Sequence, residues 1–309
     1  MKYLRTASFL ALSSLTSISA LAQNYLVLSA PPSQSQSSTL QGWMSPEIGS
    51  AWSKGYKGSG VTITMIDDFT SNNRYSGNFG KGTQALRHGE WTSTEAQMIA
   101  PEATMKFQDF SKNTAVGLSN GLNVLNLSYG AFAQAGYSSN SIGWSPRENS
   151  IISYAQNGQA VVSKAAGNDA VAVGAANSAG NVDYLNLALK GAKTAIFVGA
   201  LSANGTTTSK ASLAYYSNTA GADTTVQRQF LVVGVEGSKT NLYGTSFAAP
   251  IISGYAAILG SKFTSASPTQ IVNQLLNTAR QDTISNYSAA LHGRGEASIA
   301  RALAPATIR

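Results

Sequence analysis

The sequence predicts an α/β protein with three layers, in which a mostly parallel β-sheet carries helices on both faces. The first observation is a set of short apolar runs rich in β-branched residues: Val61–Ile66, Val124–Ser128, Ala160–Ala166, Ala195–Ala200 and Phe230–Val235. Runs that are apolar at nearly every position are typical of strands buried on both faces of a parallel sheet. The second observation is that helical patterns lie between and after these runs, and this alternation is typical of α/β folds.

The helix starts are the clearest local signals. Ser145–Glu148 (SPRE) and Ser267–Gln270 (SPTQ) each fit a capping box with proline at the first helical position. Ser45-Pro46 begins a short helix that ends near Trp52. In α/β folds, functional sites form outside the carboxyl ends of the strands. Polar residues that follow the apolar runs are therefore the candidates for function.

The composition indicates a globular protein with one large core. Of the 309 residues, 43% are hydrophobic and 11% are charged. The net charge of +7 is spread thinly, without a block of lysine or arginine, so we expect no nucleic acid partner. There are no cysteines, which excludes disulfides and thiol chemistry. Two distant histidines, His88 and His292, and the lack of an HExxH motif disfavour zinc.

The first residues predict a signal peptide at 1–22. Lys2 and Arg5 precede a moderately apolar run, which ends in the small-x-small cleavage pattern Ala20–Ala22. The run is short and rich in serine and threonine, which argues against a membrane anchor, so we expect an exported protein, periplasmic or secreted. Polar residues rich in serine and glutamine follow, and we expect a flexible segment at 23–44.

The stretch Tyr243–Gly260 (YGTSFAAPIISGYAAILG) places a serine next to a helix start. Small residues around Ser246 are followed by Pro250, and proline is costly inside a helix but tolerated near its beginning. The helix is therefore predicted to begin close to Ser246. Its hydroxyl would then lie near unpaired N–H groups and the positive end of the helix dipole.

Other polar residues follow the predicted strands. One strand runs into Asp67 and Asp68, and another leads to the turn that contains Asn168. Taken alone, each of these can be an ordinary turn or cap. A hydrolase with a serine nucleophile also needs a histidine base and a carboxylate that orients it. His88 is the candidate for that base, whereas we expect His292, near the C-terminus, to lie at the surface or to pack against a helix.

These residues fall in motifs that resemble the subtilisin-like serine proteases, the subtilases. The most specific is Gly244–Pro250 (GTSFAAP), which resembles the nucleophile motif of that family. Further similar segments are the approach to the catalytic aspartate at Ile48–Asp67, the histidine helix at His88–Met105, the substrate-lining strand at Val124–Gly130, the oxyanion segment at Val161–Asp169 and the closing motif at Gly293–Leu303. The resemblance implies a subtilisin-like fold for a catalytic domain at 45–309.

The resemblance also implies a mechanism. Ser246 would attack a peptide carbonyl, His88 would take the serine proton, and Asp67 would hold the imidazole. The Asn168 side-chain amide and the Ser246 backbone N–H would bind the oxyanion. Asp68 stands next to the predicted triad aspartate, and we expect it to be a turn or rim residue.

The substrate-binding residues are implied by the same resemblance. An extended peptide would pair with the strand edge at Ser128, Tyr129 and Gly130. Gly130 and Ala165–Gly167, which includes Ala166, would line a primary pocket. We expect this pocket to hold no buried charge, and therefore to accept an uncharged side chain at the cleaved position.

No cofactor is expected. Many subtilases bind calcium for stability, but the 14 acidic residues include no acidic loop of recognisable spacing, so no position can be assigned to a calcium site. We expect a monomer that acts on protein or peptide substrates and does not associate with a membrane after the signal peptide is removed.

Two segments depart from the family pattern. Asp68 and Phe69 stand where the family has a small hydroxyl residue and a glycine. Glu90 and Trp91 follow His-Gly where the family has threonine and then a second histidine or a small residue. We expect Glu90 to favour the imidazolium form of His88 and so to shift activity toward higher pH. Two function classes follow: an exported serine endopeptidase, and a catalytically degenerate subtilase that acts as a binding module.

Overall fold

The computed structural model describes residues 5–7 and 39–308. Its strands are β1 (Arg5–Ala7), β2 (Val61–Asp67), β3 (Tyr75–Gly77), β4 (Gln84–Leu86), β5 (Thr104–Asp109), β6 (Leu122–Leu127), β7 (Gly130–Gln134), β8 (Val161–Ala165), β9 (Asn181–Asp183), β10 (Ala195–Leu201) and β11 (Phe230–Gly234). Its helices are α1 (Pro46–Ser53), α2 (His88–Ile99), α3 (Pro146–Asn157), α4 (Tyr184–Leu189), α5 (Thr224–Arg228), α6 (Gly237–Thr240), α7 (Ala249–Lys262), α8 (Pro268–Asn277), α9 (Ala289–His292) and α10 (Ile299–Ala302). Apart from residues 5–7 and 39–44, the predicted signal peptide and the predicted flexible segment lie outside the described residues.

The central sheet has six parallel strands in the described part of the chain, in the order β11-β10-β8-β6-β2-β5. All five predicted strands are confirmed, as β2, β6, β8, β10 and β11. The sixth strand, β5, has no counterpart in the prediction. It lies at the edge of the sheet and is largely exposed, with Phe107 53% exposed, so its sequence lacks the continuous apolar run of a central strand.

Both faces of the central sheet are covered, which explains the apolar runs. In β2, Ile63 and Met65 belong to one hydrophobic cluster and Ile66 belongs to another. The first cluster includes residues of α1, α2, α7, α8 and α10, and the second includes residues of α3, α4 and α5. Because successive side chains of a strand point to opposite faces, a strand between two helical layers is apolar at nearly every position. The predicted three-layer α/β architecture is confirmed.

The three predicted helix starts are also confirmed. Ser45, Ser145 and Ser267 are the N-caps of α1, α3 and α8, and each hydroxyl accepts a hydrogen bond from a backbone N–H of the first turn. In α8, Gln270 completes the capping box by accepting from the Ser267 N–H at 2.8 Å. Caps of this kind stabilise a helix by about 1 kcal/mol.

Two small antiparallel sheets lie outside the prediction. β3 and β4 form a hairpin, and β7 pairs with both β9 and β1. The short strand β1 lies within the predicted signal peptide. Trp43 and Met44, from the segment predicted to be flexible, are buried in the core, and the Trp43 indole N–H donates to the Phe79 carbonyl at 3.3 Å. Packed structure therefore begins before Ser45.

Helix α7 is buried over most of its length and packs against α2 as well as β2, β6 and β8. Gly254 makes the contact with α2 close, because a Cβ at this position would lie 2.5 Å from Ile99 Cγ2. The contact bears on the candidate site, since α2 begins with His88 and α7 follows Ser246 in the chain. None of the described helices, α7 included, combines the length and the apolar character needed to cross a bilayer.

We expect Gly254→Ala to lower the free energy of unfolding. Alanine in place of glycine normally stabilises a helix by up to about 1 kcal/mol. Here the added methyl group would overlap Ile99 and push α2 and α7 apart, and overpacking of this kind costs about 1–3 kcal/mol. Urea denaturation measures the change. Gly49→Ala in α1 is the control, because the nearest atom lies 3.4 Å from its added Cβ; equal stability of the two variants would contradict the prediction.

Candidate active site

The carboxyl ends of three neighbouring strands bring the candidate residues together. β2 ends at Asp67, β6 ends just before Ser128, and β8 leads into the turn that contains Asn168. Because β8, β6 and β2 are adjacent and parallel, these ends lie at the same edge of the sheet. His88 and Ser246 reach this edge from other elements, where they contact Asp67 and Ser128 respectively.

A cleft of about 210 Å³ opens at this edge. His88, Asn168 and Ser246 line it, together with residues of the β3–β4 hairpin and of the segment before α7: Tyr75, Ser76, Asn241, Leu242, Tyr243 and Phe247. The structure therefore brings three of the predicted site residues to one accessible space. Asp67 lies behind His88 and is completely buried.

Asp67 and His88 form a short hydrogen bond. His88 Nδ1 lies 2.6 Å from Asp67 Oδ1, and the carboxylate also accepts from the Thr92 hydroxyl at 2.9 Å and from the Asp68 N–H at 2.7 Å. These donors compensate for the cost of burying a carboxylate. Because Nδ1 donates its proton to Asp67, Nε2 is the basic nitrogen of the neutral ring.

The pKa of His88 is raised above its ordinary value of 6.5. Burial alone lowers this pKa, but the charge of Asp67, the hydrogen bond to Asp67 and the charge of Asp68 outweigh the effect of burial. Glu90 is not among these causes, and its carboxylate accepts hydrogen bonds from the backbone N–H and the guanidinium of Arg87. The expected shift toward imidazolium is therefore present, but Asp67 and Asp68 cause it instead of Glu90.

Ser246 lies in a 3₁₀ turn, Thr245–Phe247, that precedes α7. The α-helix begins at Ala249 and not at Ser246, because the hydrogen bonds of this turn reach three residues back along the chain instead of four. The Ser246 hydroxyl donates to the Ser128 carbonyl at 3.2 Å. The backbone N–H of Ser246 has no acceptor among residues 5–7 and 39–308.

Asn168 is oriented by Thr245. Its Oδ1 accepts from the Thr245 N–H at 2.7 Å and from the Thr245 hydroxyl at 2.9 Å, so its NH₂ group points away from these donors. Gly244, at φ +123°, leaves room beside this amide, because a Cβ there would lie 3.1 Å from Asn168 Nδ2. The Asn168 amide and the Ser246 N–H are therefore two donors beside the same cleft.

The side chains of Ser128 and Tyr129, on the predicted substrate-binding strand, are buried and make hydrogen bonds within the protein. The Tyr129 side chain is completely buried, and its hydroxyl donates to Glu148 at 3.2 Å. The Ser128 hydroxyl donates to the Ser246 carbonyl at 2.8 Å. Gly130 begins β7, whose edge pairs with β1 in antiparallel register. This pairing indicates that the edge can hold an extended segment.

Ala166 and Gly167 are held by the side chains around them. The Ala166 carbonyl accepts from the side-chain amides of Asn186 and Asn218, both at 3.1 Å. The Gly167 N–H donates to the Thr245 hydroxyl at 3.0 Å. The turn that presents Asn168 is therefore tied to the turn that presents Ser246.

A buried ion pair lies next to these residues, and the sequence did not predict it. Lys164 Nζ lies 2.9 Å from Asp183 Oδ2, and it also donates to the carbonyl of Ala165 at 2.6 Å. The one sequence signal for the pair is a lysine inside an apolar strand, in the run AVVSKAA. Nothing in the sequence identifies Asp183 as its partner.

Three further residues that shape the site are absent from the prediction. Thr92 follows His88 by one helical turn, and this spacing places both side chains on the same helix face, which is a signal that the sequence carries. Thr245 and Asn218 act through contacts with distant residues, which the sequence does not reveal.

His292 lies outside the site. It is buried, not at the surface, and its ring stacks on that of Tyr287 with 5.8 Å between the ring centroids.

We expect the pKa of His88 to lie above the ordinary histidine value of 6.5 and the pKa of His292 to lie below it. The pKa of His88 is raised for the reasons above, whereas burial lowers the pKa of His292. Asp68→Asn removes a negative charge, so it should lower the pKa of His88 and leave that of His292 unchanged. An NMR titration of the ring nitrogens measures both, with His292→Gln for assignment. Glu90→Gln is the control; a larger shift of the His88 pKa in Glu90→Gln than in Asp68→Asn would refute this explanation.

Comparison of the chain with models of known protein families identifies one family that it matches. A family model described as the Subtilase family matches residues 82–295, which is more than half of the 309-residue chain. The match begins after Asp67 and includes His88, Asn168 and Ser246. Mycosin-5 of Mycobacterium tuberculosis is 39% identical over 92 residues, a stretch that covers 27% of this chain and 16% of Mycosin-5.

Solved structures with a similar fold are also proteases. One is a lanthipeptide protease, with a TM-score of 0.53, 17% identity, and 83% of this chain and 91% of that chain covered. Another is the prenylagaramide maturation protease PagA, with a TM-score of 0.51, 19% identity, and 84% and 98% covered. MycP1 from Mycobacterium smegmatis has a TM-score of 0.51 and 19% identity, with 83% and 82% covered. Similarity at these identities shows the fold, and with the family match it leads to one conclusion: the chain belongs to the subtilase family of serine proteases.

Proposed function

We propose that the protein is an exported serine endopeptidase that cleaves peptide bonds through an acyl-enzyme intermediate. The observation that carries this proposal is the short Asp67–His88 hydrogen bond at a cleft that His88, Ser246 and Asn168 line together. These residues supply a nucleophile, a base, a carboxylate that orients the base, and an amide donor. Acyl transfer by the serine mechanism requires these four groups.

In the first step, the Ser246 hydroxyl turns from the Ser128 carbonyl toward His88 and gives its proton to Nε2. The serine oxygen attacks the carbonyl carbon of the substrate, and the Asp67 carboxylate stabilises the imidazolium that forms. His88 then returns the proton to the leaving amine, which leaves an ester on Ser246. Water repeats the same sequence and releases the acid product. The reaction uses side chains of this chain and needs no cofactor.

We assign oxyanion binding to the Asn168 amide and the Ser246 N–H. Two hydrogen bonds from Thr245 fix the oxygen of the amide, so its NH₂ group is oriented before a substrate binds. Donors that are already in place need no reorganisation when negative charge develops on the substrate oxygen. This preorganisation lowers the free energy of the transition state relative to the bound substrate.

An endopeptidase must accept polypeptide on both sides of the cleaved bond. Substrate residues before the cleaved bond would extend along the backbone of Ser128–Gly130 by strand addition. Residues after the bond would enter the cleft beside Tyr75 and Tyr243. Export to the periplasm or the medium is proposed from the cleavage pattern at Ala20–Ala22 after the basic start of the chain.

The second candidate is a degenerate subtilase that binds peptides without cleaving them. One observation favours it: the Ser246 hydroxyl donates to the Ser128 carbonyl and not to His88. An enzyme requires the hydroxyl to leave this bond in each catalytic cycle, whereas a binding module does not. Catalytic hydrogen bonds are often formed only when the substrate is bound, so this geometry is compatible with both candidates.

A fluorophosphonate is expected to label the wild-type protein at Ser246. The reagent needs a serine that a base activates, so Ser246→Ala should abolish the adduct and His88→Ala should slow labelling by about 10²–10⁴-fold. Mass spectrometry after timed exposure measures the adduct. Ser261→Ala, near the far end of α7, is the matched control and should label like the wild type. A correctly folded wild type without an adduct would favour the binding module.

Asn168→Ala is expected to lower kcat by about 10²–10³-fold with little change in KM, because the lost donor acts on the transition state. This range was measured on subtilisin itself and is carried over from that relative. Asn157→Ala, on the exposed end of α3, is the control and should retain wild-type kcat. An unchanged kcat in Asn168→Ala would remove the amide from the mechanism.

A further inference from the structure

The buried pair of Lys164 and Asp183 takes no part in the proposed triad. Lys164, in β8, is completely buried, and Asp183, at the end of β9, is 5% exposed. Their charged groups lie 2.9 Å apart. Replacement of a buried ion pair by packed apolar side chains is often neutral or stabilising, so stability alone is a weak explanation for its presence. The position of the pair points to a different role.

The pair connects the two backbone walls of the predicted primary pocket. On one side, Lys164 Nζ donates to the Ala165 carbonyl at 2.6 Å. On the other side, Asp183 Oδ1 accepts from the Ala131 N–H at 2.9 Å. Gly130, which precedes Ala131, contacts the carboxylate directly, because a Cβ on Gly130 would lie 2.7 Å from Asp183 Oδ2. The two side chains therefore link the backbone of one predicted wall to the backbone of the other.

Helix α4 holds the pair in this position. Asp183 is the N-cap of α4, and its Oδ1 also accepts from the Leu185 N–H at 3.1 Å. Asn186, in the same helix, donates to the carbonyl of Ala166 at 3.1 Å. One helix start therefore positions both the carboxylate and a wall of the pocket. The carboxylate cannot move aside for a substrate without loss of this cap.

We propose that the Lys164–Asp183 pair closes the deep end of the primary pocket and restricts the cleaved position to small, uncharged side chains. The inference rests on the proposed function, because a primary pocket exists only if peptides are cleaved at Ser246. The carboxylate against Gly130 occupies the depth that a phenylalanine or leucine side chain needs. A substrate lysine would find the carboxylate already paired and would be repelled by the Lys164 ammonium group, and a substrate glutamate would be repelled by Asp183.

Peptides that differ only in the residue before the cleaved bond test this inference. We expect kcat/KM of the wild type to be at least about tenfold higher for alanine than for phenylalanine or lysine, since the lack of space for even one methylene costs about tenfold or more. Lys164→Ala opens the space of the lysine side chain beside Asp183 and leaves the carboxylate without its partner charge. Cleavage after lysine should therefore rise at least about tenfold relative to cleavage after alanine. Asp183→Asn keeps an acceptor for the Ala131 N–H but no charge, and should not show this rise.

Two further variants serve as controls. The double variant Lys164→Ala, Asp183→Asn opens the same space as Lys164→Ala but avoids the unpaired buried charge that destabilises a single variant. We expect it to cleave poorly after lysine. Lys190→Met breaks the exposed pair of Lys190 with Asp223, in which both side chains are more than 40% exposed, and should leave the substrate preference unchanged.

The outcomes separate the inference from the proposed function. A wild type that prefers phenylalanine or lysine to alanine would overturn the inference even if every variant failed to fold. A folded, active Lys164→Ala variant with the wild-type preference would overturn it as well. A wild type that forms no fluorophosphonate adduct and cleaves none of the peptides would instead refute the proposed function, and this inference with it.

Discussion

The geometry of the candidate site depends on one buried carboxylate, Asp67, which is surrounded by hydrogen-bond donors. The imidazole of His88, the Thr92 hydroxyl and the Asp68 N–H all bond to it. The charge of Asp67 and its hydrogen bond to the imidazole are also the main causes that raise the pKa of His88. Because His88 and Thr92 both lie on α2, the same contacts also orient this helix. The close packing at Gly254 then sets α7, and the serine turn before it, against α2.

The sheet edge holds buried acidic groups that are compensated in two different ways. Asp67 is satisfied by hydrogen bonds, so its negative charge acts on His88 and favours the imidazolium form. Asp183 is compensated instead by the opposite charge of the Lys164 ammonium group. Burial of each of these three charged groups carries a desolvation cost of several kcal/mol, so we expect them to do more than pack. Asp67 acts on the chemistry through His88, and Asp183, in our proposal, acts on the choice of substrate.

The central fold could be predicted because its signals are local. A strand between two helical layers is apolar throughout, and a serine followed by a proline caps a helix wherever it occurs. Strands β5, β7 and β9 escaped prediction because an edge strand or a small antiparallel sheet leaves no such continuous pattern. The same limit applies to the 3₁₀ turn at Ser246. Its small residues indicate a tight approach, but whether the first turn is 3₁₀ or α depends on how the segment docks on neighbouring strands.

The sequence by itself determined which residues stand at the strand ends and in the serine motif, since Asp67, Asn168 and Ser246 can be identified from short runs of neighbours. The tertiary structure alone decided their partners. The Ser246 hydroxyl donates to the carbonyl of Ser128, 118 positions away in the sequence. The Asn168 side chain is oriented by Thr245, 77 positions away, and Lys164 is paired with Asp183. Glu90, which the sequence suggested as the cause of a shift of His88 toward the imidazolium form, is instead hydrogen-bonded to the guanidinium of Arg87. Local sequence encodes the type and spacing of charged groups, but the energy of a charge depends on which group the fold places within a few ångströms of it.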